Sequence, residues 1–327
     1  MRLRTIPVVL FLLLLAACGD ATQVVDTTTT VVTTSTTTST PTTVVETSTT
    51  TTVPESVFPV TVEVANGTIT LEAPPTRIVS LSPTATEMLF AVGAGDQVIA
   101  ADEFSTYPEE APDTDLSGFT PNVEAIVSYQ PDLVIVSNDI EDVVGSLTRL
   151  GVPVALLPAA ETLDDVYSQI ETIGVMTGHR EGALEVIAEI QTRIERAVNE
   201  APAVEFDYYH ELGPELYTVT SQTFVGRIYG LFGLENIADP ADVDGFGYPQ
   251  LSAEYIIDAD PDLIFLADTQ CCGVTPEQVA ARPGWDRITA VAEGWIFSIP
   301  DDVASRWGPR IAEFAEAVAE ALSETSG

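Results

Sequence analysis

A chain of 327 residues carries 50 acidic side chains against 12 basic ones, for a formal charge of −38. Every basic side chain is arginine, so the surface repels phosphate backbones, which sets nucleic acid aside as a partner, and no lysine is present for an ATP-binding phosphate loop. Residues 1–17 read as an export signal: Arg2 and Arg4, an apolar run from Ile6, and small residues before Cys18. The run is shorter than the roughly 20 apolar residues that span a bilayer. Residues 18–56 are mostly Thr, Ser and Val without aromatics, a disordered tether and a candidate for O-glycosylation, with a reach on the order of 30 Å.

The remaining residues suffice for two lobes of ordinary size. In 57–160 strand and helix alternate. Arg77–Leu81 reads as a buried strand, and Ser82 or Thr84 caps a helix with Met88, Leu89 and Val92 inward and Gly93 at its end. Gln97–Ala101 is a strand, Val123–Tyr129 a short helix, Asp132–Val136 a strand, Glu141–Leu150 a helix and Val152–Leu157 a strand. That alternation predicts an α/β lobe with a mainly parallel sheet. Residues 161–202 are helical, with a break at Thr177-Gly178 and a long helix over Arg180–Glu200. Its apolar positions Leu184, Ile187, Ile190, Ile194 and Val198 keep helical spacing. In 203–327 the alternation returns, with strands at Phe206–His210, Leu216–Val219, Leu263–Ala267 and Trp295–Ile299. Helices are expected at Val225–Phe232, Tyr255–Ala259 and Pro309–Leu322.

One unit occurs twice. NVEAIVSYQPDLVIV, from Asn122, returns as LSAEYIIDADPDLIFL, from Leu251, with Glu124 and Glu254 separated by 254 − 124 = 130 residues. Two similar lobes facing each other across a rigid helix explain the repeat, and the cleft between them is the default ligand site.

The ending Leu15-Ala16-Ala17-Cys18 resembles a bacterial lipoprotein cleavage box, which implies acylation of Cys18 and anchoring outside the cell membrane. From about Arg77 onward the chain resembles the helical-backbone substrate-binding proteins of ABC importers for cobalamin, ferric siderophores and haem. The stretches carrying this are RIVSLSPTATEMLFAVGAGDQVIAADEFSTYP, NVEAIVSYQPDLVIV, YPQLSAEYIIDADPDLIFL and ASRWGPRI. The resemblance implies two α/β lobes with mainly parallel sheets joined by a long rigid helix, class III periplasmic-binding-protein-like. It also implies a monomer without enzymatic activity, resident cofactor or metal. The cargo would be a small metal chelate, and the partner an ABC permease dimer with its ATPase. In that family one Glu per lobe pairs with permease arginines, which points to Glu124 and Glu254. Relatives that hold cobalamin place an aromatic where Phe104 stands, and contact ligand through the segment matching Asp302–Arg306. They carry bulky aromatics there, whereas this chain has Val303 and Ala304, with Trp307 one step beyond. The choice among cobalamin, siderophore and haem therefore stays open. Arg306 suits an anionic group on the ligand or an internal salt bridge. Ser82, Thr84, Tyr107, Phe119, Tyr217, Phe224 and Tyr248 complete the candidate ligand set, the rings serving either macrocycle contact or core packing.

Cys271 and Cys272 are the only thiols besides Cys18. Neighbouring Cα atoms lie ~3.8 Å apart and ordinary disulfides want ~4.4–6.8 Å, so a bridge between them is strained, although exported proteins meet oxidising conditions. A vicinal disulfide, free thiols and a metal site are all open. His179 and His210 are too few for a site holding bare zinc or manganese; His210, at a strand end, reads as a satisfied polar residue or an axial haem ligand. Pro214 interrupts any His-Glu-x-x-His motif, and there is no Gly-x-Ser-x-Gly elbow. A secreted enzyme on a two-lobed α/β frame and a cell-surface adhesin are the alternatives. The first lacks a nucleophile–base cluster, and the second leaves the matched Glu pair unexplained.

Overall fold

A hairpin opens the described residues, 57–326 of a computed structural model. Its strands β1 (Val60–Val64) and β2 (Gly67–Leu71) pair antiparallel. The export signal, Cys18 and the Thr-rich tether lie outside the described residues. Four strands follow: β3 (Ile78–Leu81), β4 (Val98–Ala101), β5 (Leu133–Val136) and β6 (Val154–Leu156). All are parallel, in the order β4-β3-β5-β6. Every residue of β3 and β5 is buried, as parallel strands covered on both faces require. The crossovers carry α1 (Pro83–Ala91), α2 (Val123–Ser128) and α3 (Val143–Arg149).

Two helices then leave the sheet. α4 (Leu163–Thr177) starts on a capping box, in which the Thr162 hydroxyl accepts from the Asp165 N–H and the Asp165 carboxylate accepts from the Thr162 N–H. It stops at Gly178, whose φ of 84° favours glycine. α5 (Arg180–Glu200) runs about 30 Å at 1.5 Å per residue. Ile190 and Ile194 face inward as their spacing predicts, but small Ala183 and Ala197 complete the buried stripe while Leu184, Ile187 and Val198 flank it half-buried. Close crossing explains Ala183: a Cβ added at Gly174 of α4 would collide with that of Ala183.

The second sheet contains β7 (Asp207–Glu211), β8 (Glu235–Asn236), β9 (Leu263–Leu266) and β10 (Ile296–Ser298), parallel in the order β10-β9-β7-β8. Around it lie α6 (Phe224–Gly230), α7 (Ala253–Ala259), α8 (Pro276–Ala280), α9 (Thr289–Glu293), α10 (Asp301–Ser305) and α11 (Ile311–Glu324). The strand expected at Leu216–Val219 does not form. Leu216 adopts φ 66°, and Tyr217 makes only an isolated bridge to Gln250, so the segment turns instead of extending.

The sequence repeat is a structural repeat. Ile78 pairs with Leu133 in the first sheet and Tyr208 with Leu263 in the second, each offset by 208 − 78 = 130 and 263 − 133 = 130 residues. The Asp of each Pro-Asp-Leu ties down the start of the neighbouring strand: Asp132 accepts from the Thr76 and Arg77 N–H groups, and Asp262 from that of Asp207. Gln130 and Asp260 both take φ 52° in the turn before it. The sheets are nevertheless welded together. One apolar cluster runs from Ile78 and Met88 through Ile190 and Ile194 to Phe265, Phe314 and Val318. Arg193 clamps Glu316 of α11 with two hydrogen bonds, at 3.0 and 2.7 Å.

Candidate functional site

In a parallel sheet all carboxyl ends lie on one edge, and the loops leaving that edge build the binding site. From the first sheet the loop after β4 carries Phe104, Tyr107 and Phe119. These rings are 47%, 46% and 63% exposed, and Phe104 meets Phe119 edge-on at 5.6 Å. From the second sheet come Tyr217 after β7, Tyr248 after β8, the Cys271–Cys272 loop after β9, and α10 after β10. Tyr217 and Tyr248 are also about half exposed.

The two edges meet at a buried ion cluster. Glu87, on α1, is 2% exposed. It accepts from Arg306 at 2.8 Å and from Arg310 at 3.0 and 2.6 Å. Arg306 also pairs with Asp302 at 2.8 Å and donates to the Phe104 carbonyl at 2.9 Å. The Arg310 guanidinium lies 4.4 Å from the Tyr107 ring centroid. Charge-assisted bonds of this kind hold planar groups in fixed orientation. A cavity of about 520 Å³ opens on the α5 side of this cluster, lined by Glu87, Phe90, Tyr107, Ile190, Arg193 and Arg310.

Beneath Phe104 a buried polar chain fixes its loop. The Ser105 hydroxyl bonds to Asp102, and Thr86 joins Ser105 at 2.8 Å and Ser80 at 2.9 Å. Burial raises the Asp102 carboxyl above the ordinary carboxylate range, against the Ser105 hydrogen bond that lowers it.

Several expected ligand residues are committed elsewhere. Ser82 caps α1 through the Ala85 N–H and is buried, as is Thr84, so neither offers its hydroxyl to a cleft ligand. Phe224 packs half-buried against the central core, and Trp307 does likewise while donating to Gln169 of α4 at 3.3 Å. Arg306 is internally paired, which neutralises the charge that would attract a free anion. Sequence reasoning missed Glu87, Arg310 and Asp102. Only Glu87 left a signal, as a carboxylate beside inward-facing Met88 and Leu89.

The far side of the second sheet holds another buried group. Glu211 binds Arg282 at 2.6 and 2.6 Å, and Arg282 lies 4.6 Å from the Trp285 ring centroid. Asp268, fully buried beside them, has no hydrogen-bond donor for either oxygen. Burial, reinforced by Glu211, pushes its carboxyl up to about 7. His210 is also fully enclosed and bonds the Tyr229 hydroxyl at 2.8 Å; burial lowers its imidazole to about 3. It is neutral and out of reach of any ligand in the cleft. Cys271 and Cys272 are joined as a vicinal disulfide. Among the described residues no group of three or more His, Cys, Asp or Glu side chains is placed to hold a metal ion.

Glu124 and Glu254 occupy the first turns of α2 and α7, after Asn122 and Ser252, whose side chains accept from the Ala125 and Tyr255 N–H groups. Both carboxylates are exposed, and Ile126 and Ile256 anchor the two helices from beneath.

Two parallel sheets, a helical backbone and a site between their carboxyl edges define a two-lobed α/β binding protein. Residues 78–303 match the periplasmic binding protein family model. The chain belongs to that family, in its helical-backbone class of ABC-importer substrate-binding proteins. It is 34% identical over 289 residues to a cobalamin-binding protein of Halobacterium salinarum, covering 82% of this chain and 75% of the relative. It is 30% identical over 278 residues to the substrate-binding lipoprotein YvrC of Bacillus subtilis, covering 81% and 86%. The crystal structure of the periplasmic vitamin B12 binding protein BtuF of Vibrio cholerae superposes with a TM-score of 0.65 at 25% identity, over 77% of this chain and 98% of that one.

Proposed function

We propose that the chain is a lipid-anchored, extracytoplasmic monomer that captures a corrinoid of the cobalamin type between its two sheets and delivers it to an ABC permease dimer. Cys18 would carry the anchor and residues 18–56 the tether. Phe104, Tyr107 and Phe119 on one side, with Tyr217 and Tyr248 on the other, would contact the macrocycle by their faces and edges. Asp302 and Arg306 would set the floor between them, and Glu124 and Glu254 would meet the permease.

The observation that carries this reading is a set of half-exposed rings on loops at the carboxyl edges of both sheets, in a chain 34% identical to a cobalamin-binding protein. Enclosure of His210 favours a corrinoid over histidine-ligated haem. An iron chelate is the second reading, favoured by three half-exposed phenols, Tyr107, Tyr217 and Tyr248, which suit ferric iron. Calorimetric titration of residues 57–327 with cyanocobalamin, haemin and a ferric hydroxamate tests both. Cyanocobalamin is expected to bind at one site. Heat only with an iron chelate moves the assignment to the second reading, and no heat with any of the three defeats both.

A further inference from the structure

β9 ends at Leu266, and the following loop reaches α8 through Thr269-Gln270-Cys271-Cys272-Gly273. The two bonded cysteines are exposed, yet the backbone around them is gripped from both sides. The Gln270 and Cys271 N–H groups donate to the Asp301 carboxylate at 3.0 and 2.7 Å, and the Thr269 hydroxyl reaches it at 3.3 Å. The Cys272 and Val274 N–H groups donate to the Asp268 carbonyl at 3.3 and 3.4 Å. Asp301 is the first residue of α10. The next residue, Asp302, pairs with Arg306, and Arg306 crosses to Glu87 and the Phe104 carbonyl on the opposite sheet. A small covalent ring, one carboxylate and a short helix thus connect a reducible pair to the side chain that bridges the cleft.

We propose that Cys271–Cys272 is a redox-responsive site, reducible by dithiols, whose state passes through Asp301 to the Arg306 bridge and sets how firmly the cleft holds its cargo. The cargo part of this rests on the ligand-cleft reading above; the coupling itself does not. In the step, a dithiol thiolate attacks one cysteine sulfur, and the bond between the cysteines breaks with its electron pair on the other sulfur, which takes a proton. The second thiol of the reductant then displaces the first cysteine from the mixed disulfide. The reductant leaves as its own disulfide, and two electrons and two protons have moved to the protein. Opening the ring returns rotational freedom to both side chains and to the peptide between them. The Gln270 and Cys271 donors are then no longer held in place for Asp301, and α10 loses its tie to the loop.

The test uses the full chain in detergent micelles, with hydrogen exchange followed by mass spectrometry before and after reduction with dithiothreitol. Exchange is expected to rise roughly tenfold across 269–272 and across 301–306, and to reverse on reoxidation. Asp301→Asn should leave the disulfide intact but loosen 269–272 and make 301–306 insensitive to reductant. A Cys271→Ser/Cys272→Ser variant should not respond to reductant at all. Faster exchange confined to 269–273, an undiminished response of 301–306 in either variant, or alkylation of both thiols without reductant would each overturn the proposal. In a parallel titration, cyanocobalamin and haemin serve as probes, and whichever binds should bind roughly tenfold more weakly after reduction. Equal affinity in both states overturns the cargo role. If neither probe binds, the ligand reading fails while the exchange result still decides the coupling.

Discussion

Glu87 carries a single negative charge, almost wholly buried, between two guanidinium groups from across the cleft. Its desolvation is offset by three charge-assisted hydrogen bonds, so removing the carboxylate leaves two nearly buried arginines with Asp302 as their one remaining ion-pair partner among the described residues. Glu87→Ala is expected to cost about 3–5 kcal/mol, measured as a lower midpoint in urea. Asp268 behaves in the opposite sense. Its folded-state value of about 7 lies above the ordinary 3.8, so the native state binds the proton more tightly than the unfolded chain. The stability this contributes is complete below the unfolded value and is lost as pH rises through about 7. Asp268→Asn, which cannot ionise, should therefore raise the urea midpoint over the parent at mildly alkaline pH and lose that advantage as the solution is acidified. A constant difference at every pH would show that Asp268 is not protonated in the fold.

At the level of elements, α5 separates what periodicity can reveal from what it cannot. Its limits, Arg180 and Glu200, are legible because Gly178 breaks the preceding helix and the apolar spacing runs unbroken for about four turns. Which face is deepest is not legible, since that depends on the closeness of α4, whose Gly174 leaves room for Ala183 but not for a longer side chain. Ile190→Ala should cost about 2–4 kcal/mol through its cavity, whereas Leu184→Ala, half-buried on the flank, should cost less than about 1.5 kcal/mol; denaturant titrations of the two variants compare them directly. The helices Pro276–Ala280, Thr289–Glu293 and Asp301–Ser305 are each five residues, too short to show a period. The repeat of Pro-Asp-Leu was legible because each copy does the same local work at the same strand. The site was legible only as far as its loops. Arg306 finds Glu87 across 219 positions of sequence, and no local pattern records a partner at that distance.

For the whole molecule, the 130-residue repeat sets one exposed carboxylate on each half at matched positions. The proposed docking role predicts that charge reversal of both, Glu124→Arg with Glu254→Arg, abolishes uptake in cells while cargo affinity measured on the purified chain stays unchanged. The substitutions lie in exposed first turns, so thermal stability should change little, and undiminished uptake by the double variant would remove both residues from the docking surface.

The continuous apolar cluster beneath the cleft has a mechanical consequence. A binder whose halves are hinged on loops can let go by swinging open on its own, at a rate set by thermal motion. Here the halves share side chains from Met88 to Phe314 and are bolted by Arg193 to Glu316, so parting them far enough to free a bulky molecule means tearing core contacts. On the delivery role proposed above, the work of that separation would come from the permease and its ATPase, acting on both halves at once.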